Sequence, residues 1–170
     1  MAGDTLYTGN GTIETSDYKA ISWTGKTKEG KAVTISLSDA INLGDIDLSF
    51  VEKDDTVASV TFTACYLGNE ATAVEPWSIT LESGATAGAS EIILGAGVFY
   101  VAGTAVALTR GGGSFKVVRE SRRINADGDR GPVKGRIVCE GSEATLTLNA
   151  LTFIKSVDAL YYGITSTTTT

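Results

Sequence analysis

The sequence predicts a single all-β domain over residues 1–170, a β-sandwich or partly open barrel with one or two short helices. Two observations carry this. The dominant hydrophobic period is two, and the runs that show it are rich in Val, Ile and Thr, which suit a pleated, half-buried surface. Punctuation comes from Gly, with 20 glycines against 2 prolines among 170 residues, so the chain turns often, and with Gly rather than Pro.

The clearest strands are those with unbroken alternation. Val33, Ile35 and Leu37 alternate with Thr34 and Ser36. Ala58, Val60, Phe62, Ala64 and Tyr66 alternate with Ser59, Thr61, Thr63 and Cys65. Ala144, Leu146, Leu148 and Ala150 alternate with Thr145, Thr147 and Asn149. Further strands are expected at Tyr18–Thr24, Asp45–Val51, Trp77–Leu81, Ile92–Val101, Thr104–Thr109, Ser114–Ile124 and Val133–Glu140. Ala102-Gly103 reads as a tight hairpin turn. Asp54-Asp55, Gly68-Asn69, Asp127-Gly128 and Gly131-Pro132 read as looser turns. Ser38–Leu43, with Ser38 as an N-cap and Gly44 as a stop, is expected to be a short helix. Lys155–Tyr162 is a second one, with Ile154, Val157 and Tyr161 spaced for one face. Ser83–Ser90 (SGATAGAS) and Thr165–Thr170 (TSTTTT) have nothing to bury and read as mobile linkers.

Composition narrows the chemistry. The net charge of −6 disfavours nucleic acid as a bound partner. No apolar run approaches the ~20 residues of a membrane span, and Met1-Ala2-Gly3-Asp4 has neither the basic nor the apolar part of a secretory leader. With no His in the chain, the usual general base and metal ligand are missing. No catalytic residue, cofactor or metal is expected. Cys65 and Cys139 are read as two buried small hydrophobes rather than a disulfide. Thr109–Ser114 (TRGGGS) lacks the Lys-Ser or Lys-Thr ending and the following helix of a phosphate loop, and is expected to form a β-bulge or a close backbone approach. Trp23 and Trp77 are read as core. Only if exposed and coplanar would they suit the alternative of a carbohydrate- or ligand-binding sandwich. Asp45 and Asp47 would need to converge in a cleft for a hydrolase.

Charge is unevenly placed. Lys116–Arg136 holds seven basic residues and three acids, a net of +4 that leaves −10 on the rest of the chain. Asp39–Asp55 has six acids against Lys53. Arg122, Arg123, Arg130, Lys134 and Arg136 are therefore expected to seek acids such as Asp39, Asp45, Asp47, Asp54 and Asp55, within one subunit or between subunits. A hairpin arm around Asn125–Gly135 is expected to project from the domain and present these bases.

Two blocks carry a family resemblance. Glu91–Ile154 includes GAGVFYVAGTAVALTRGGGSFKVVRESRRINADGDRGPVKGRIV followed by EATLTLNALTFI. It resembles the N-terminal part of tail tube proteins of long-tailed bacteriophages. Asp17–Trp77 includes AISWTGKTKEGKAVTISLSDAINLGDIDLSFVEKDD and EPW, and resembles their C-terminal part. Together the blocks cover about three-quarters of the chain, and ADGDRGPVKG, DAINLGDID and EKDD are fairly specific as a set. The family's C-terminal block comes first here, so the order resembles that of a circular permutant in which residues 83–90 join the original termini. The resemblance implies a virion protein, made in the bacterial host's cytoplasm. It implies a self-assembling subunit of hexameric rings that stack into a tube, with other tail proteins as further partners. DNA would be a passing cargo that is not bound, and no membrane is involved. The −10 outside the basic arm suits a wall that repels phosphates.

Overall fold

The computed structural model describes residues 5–9, 11–45, 57–66, 74–82, 93–128, 130–131, 133–151 and 157–168. The strands are β1 (Thr5–Gly9), β2 (Lys19–Thr27), β3 (Ala32–Ile41), β4 (Val57–Ala64), β5 (Trp77–Leu81), β6 (Ile93–Val101), β7 (Thr104–Arg123), β8 (Ile137–Leu151) and β9 (Ile164–Thr168), with a one-turn helix α1 (Val157–Leu160) before β9. All described pairings are antiparallel.

Seven strands form one sheet in the order β2-β6-β7-β8-β4-β3-β5, and β2 also pairs with β3. That extra pairing closes six strands into a barrel. The closure is incomplete at one seam. β4 reaches β3 only through Ala40↔Ala64 and Ile41↔Thr63, because β5 occupies the same edge of β3 from Val33 to Leu37.

Alternation dictates what fills the barrel. Ala58, Val60, Phe62 and Ala64 of β4 point inward, as do Ala144, Leu146, Leu148 and Ala150 of β8. They meet Ile21 and Trp23 of β2, Leu37 of β3 and Phe99 of β6 in one apolar cluster. Phe62 and Phe99 pack ring against ring at 5.5 Å, tilted by 39°. The two-residue turn after β6 has Ala102 at φ +47° and Gly103 at φ +78°, the left-handed pair that matches the twist of a tight hairpin.

Several sequence expectations are corrected. Ser38–Leu43 is not helical, because β3 runs through it to Ile41. Its backbone is claimed by partners remote in sequence: Ser38 N–H donates to the Pro76 carbonyl, and Cys65 N–H donates to that of Asp39. Thr104–Thr109 and Ser114–Ile124 are a single 20-residue strand. The glycines between them form a bulge at which the register against β8 slips between Thr109 and Gly113. β8 begins at Ile137 rather than Val133 and continues past Glu140 to Leu151. Residues 165–168 belong to β9, paired with β1 from Thr5↔Thr168 to Gly9↔Ile164. Besides this ladder, β9 is held by Ile164, which packs against the core, and by Ser166 Oγ, which donates to Asp158 Oδ2 at 3.3 Å. The second helix is only the single turn of α1. It is docked by Asn42, whose buried Nδ2 donates to the Leu160 carbonyl at 2.9 Å, and by Lys19, whose Nζ donates to the Asp158 carbonyl at 3.0 Å. The expected linker 83–90, the turns at 54–55 and 68–69, and all of the expected strand Asp45–Val51 beyond its first residue lie outside the described residues.

Candidate functional site

The feature that stands apart from the barrel is the distal half of the β7–β8 hairpin. The ladder continues outward through Glu120↔Gly141, Ser121↔Cys139, Arg122↔Val138 and Arg123↔Ile137, and Ile124 N–H extends it to the Arg136 carbonyl. Residues 118–128 are all exposed, as are 137–140. The arm carries five large apolar residues into solvent: Val118, Ile124, Val133, Ile137 and Val138 are between 38% and 53% exposed.

The predicted bases lie on this arm. Arg122 and Arg123 end β7, and Arg130 and Lys134 are exposed near the tip. Arg136 is half-buried at the return, where its N–H donates to the Val133 carbonyl. The carboxylate beside Arg122 is Glu140 on the facing strand, in an ion pair, not one of the acids of 39–55. Asp39 is half-buried in β3. Asp45 is exposed and helps line a notch of about 280 Å³ with Gly44, Tyr161 and Tyr162. Asp47, Asp54 and Asp55 lie outside the described residues.

The root of the arm holds a polar cluster that sequence reading missed. Glu75, just before β5, accepts hydrogen bonds on Oε2 from Ser142 Oγ, from Tyr66 Oη at 2.9 Å and from Trp77 Nε1 at 3.1 Å. Tyr66 and Ser142 also bond to each other at 2.7 Å. These donors, Ser142 foremost, then Tyr66 and Trp77, with Arg119 adding its charge, hold the Glu75 carboxyl below the usual range. Such a group is a poor proton acceptor. It serves as an anchor that ties the start of β5 to β8. No local signal could have found it, since Glu75 and Ser142 are 67 residues apart.

The shift has a definite sign. A lowered pKa in the folded state gives stabilisation that is present above the unfolded value of about 4.3 and is lost as pH falls through the folded one. Emission of Trp77 is therefore expected to change reversibly below about pH 4.3. In Glu75→Gln that part of the change should be missing. A variant with the unaltered profile would mean that Glu75 does not anchor Trp77.

The tryptophans do not make an exposed coplanar pair. Trp23 is 7% exposed. Trp77 is half-buried against Phe115, with ring centroids 5.6 Å apart. The cysteines correct an expectation: both are free, Cys65 is only partly buried, and Cys139 is exposed on the arm. Residue type favoured burial, but the position on a projecting hairpin overrides it. Burial and then Asp39 push the Cys65 thiol up, away from the reactive thiolate.

Compared with protein-family models, with characterised proteins and with solved structures, the chain matches none.

Proposed function

We propose that this chain is a structural subunit without catalytic activity that assembles with copies of itself into stacked rings of a phage tail tube. The observation that carries the reading is the arm. An isolated two-stranded hairpin is marginal in water, and this one exposes five large apolar side chains and buries none of them against its own barrel. Its stability and its apolar surface both call for a second surface to lie on. Charge suits another copy, because the arm segment is net positive and the remainder of the chain is net negative.

Two further features support self-association. β5 offers an outer edge with no strand partner among the described residues, and its Ile79 and Leu81 are 54% and 42% exposed. Open edges of this kind invite pairing. On the outer face, Val98, Leu108, Leu151 and Val57 lie in register across four adjacent strands. Leu108 is 57% and Val57 38% exposed, a contiguous apolar row of the sort that marks an interface. DNA is then cargo, and the acidic balance keeps it unbound.

The permuted order fits the geometry. The chain's first and last strands are partners, with Thr5 opposite Thr168, so direct continuity across the two ends needs no reach. Leu81 sits opposite Val33, Val33 opposite Gly25, and the adjacent Lys26 opposite Leu94. The ends of the segment between β5 and β6 are thus about three strand spacings apart, ~14 Å, which a linker of the length of 83–92 spans easily.

Reversing Arg130→Glu and Lys134→Glu together is expected to weaken assembly roughly tenfold while the far-UV spectrum and unfolding midpoint stay put. Raised salt should weaken the parent in the same way. Light scattering and negative-stain microscopy read this directly. If the double variant forms the same assemblies with the same salt dependence, the arm does not dock through its charge and the reading fails.

A further inference from the structure

Two parts of the chain leave both of their faces exposed. One is the arm, over residues 118–128 and 137–140. The other is β5, where Ser78 and Thr80 on one face and Ile79 and Leu81 on the other are all exposed. Each is also open along one strand edge among the described residues. β5 is bonded to β3 alone. β4 meets β8 only from Thr145 onward, which leaves the outer edge of β8 uncovered along the arm.

The phase of each ladder sets which backbone groups those edges offer. Glu82 N–H donates to the Ala32 carbonyl, and Ser38 N–H to that of Pro76. Counting in twos between them, Ser78 and Thr80 bond to β3, so Trp77, Ile79 and Leu81 turn their N–H and C=O groups outward. On the arm, Ile124 N–H donates to the Arg136 carbonyl. In that register Val138 bonds to Arg122, so Ile137 and Cys139 turn their backbone groups outward. Joined edge to edge in the antiparallel sense of every other described pairing, these residues become direct neighbours. Ile137 and Cys139 then share a face with Ile79 and Leu81, which puts apolar side chains side by side.

Charge favours the same match. From residue 54 to residue 109 the chain has six acids and no Lys or Arg, and Glu75 and Glu82 flank β5 within that stretch. From residue 118 to residue 136 it has six bases against three acids. Two arms repel each other, whereas an arm and the β5 segment attract. Within one chain both surfaces are exposed, so neither covers the other.

We propose that the arm of one copy adds its β8 edge to the β5 edge of a second copy, as an antiparallel strand. This rests on the self-assembly reading and names the surface on which the arm lies. The contact is heterologous: each copy gives one strand and receives one, as ring closure requires. It also removes two open edges at once.

Cys139 makes the contact testable in the full chain. In a Cys65→Ala background a second thiol is placed on β5, as Ile79→Cys or Leu81→Cys on the matching face or as Thr80→Cys on the opposite one. All three positions are exposed. At least one of Ile79→Cys and Leu81→Cys is expected to give, on mild oxidation, a ladder of covalent multimers in which Cys139 is joined to the β5 cysteine. Thr80→Cys should give roughly fivefold less, because thiols on opposite faces do not meet disulfide geometry. An equal yield from Thr80→Cys, or dimers through Cys139 alone with nothing longer, would overturn the proposal. Light scattering before oxidation separates it from the broader reading. Assemblies that form without the Cys139–β5 link would overturn this docking surface alone, and a chain that stays monomeric would overturn both.

Discussion

Phe99→Ala is expected to cost the barrel about 3–5 kcal/mol, the range for truncating a buried phenylalanine. Phe99 is fully buried, stacks on Phe62, and sits in register with Trp23 on one side and Ala107 on the other. It therefore joins β6 to both neighbouring strands and to β4 across the barrel. Neither Trp23 nor Ala107 can move to fill the space without breaking its own ladder, so the cavity term is expected to persist. Urea unfolding with an unchanged slope would report it as a lower midpoint. Thr80→Ala, on the exposed β5, is the control and should stay within about 0.5 kcal/mol. A loss below about 1 kcal/mol at Phe99 would be incompatible with a packed barrel interior.

The strands that sequence reading placed best were those whose alternation is complete on its own. Ala58 to Ala64 and Ala144 to Ala150 needed no knowledge of their partners, because an inward face of small and branched apolar residues against an outward face of Ser and Thr has one sensible orientation. The expected strand Trp77–Leu81 has the bounds that the structure shows. The failures share a cause. Ser38 has the chemistry of a helix cap, and partners outside the stretch, Pro76, Cys65 and the pairings with β2 and β4, turn it into a strand. The Thr-rich C-terminal stretch has no apolar face, so nothing local announces that β1 lies beside it.

The candidate site was legible to the same degree. The basic arm was visible as a run of charge between two strands. Its nearest carboxylate was not, because Glu140 faces Arg122 only once the register of β7 on β8 is fixed. The cluster around Glu75 depends instead on the end of β4 and the start of β5 meeting Ser142 of β8. Closure of the barrel through β2, which pairs with both β3 and β6, is likewise a fact about pairing and not about any one segment.

Gly97→Ala is expected to destabilise the protein by about 1–3 kcal/mol, the cost of overpacking a filled interior. The Trp23 indole lies against the backbone of two glycines, Gly97 on β6 and Gly25 on β2 itself. A Cβ on Gly97 would stand 2.4 Å from Trp23 Nε1 and 2.7 Å from the Thr24 carbonyl oxygen. One on Gly25 would stand 2.2 Å from Cη2 of the same ring. Neither glycine has the positive φ that only glycine tolerates well, so the conflict is steric, with the Trp23 ring at both positions and also with the Thr24 carbonyl at Gly97. The ring is almost wholly buried and can yield only toward the space it lines with Phe115 and Leu148. A double-mutant cycle isolates the contact. Trp23→Phe alone should be destabilising through lost apolar area, but in the Gly97→Ala background its cost should shrink or reverse, because the smaller ring relieves the clash. The coupling should reach about 1 kcal/mol or more, within the range for residues in contact. Gly141→Ala, where a Cβ meets nothing within 4 Å, should be near neutral. Additive effects of Gly97→Ala and Trp23→Phe would mean that the indole does not rest on Gly97.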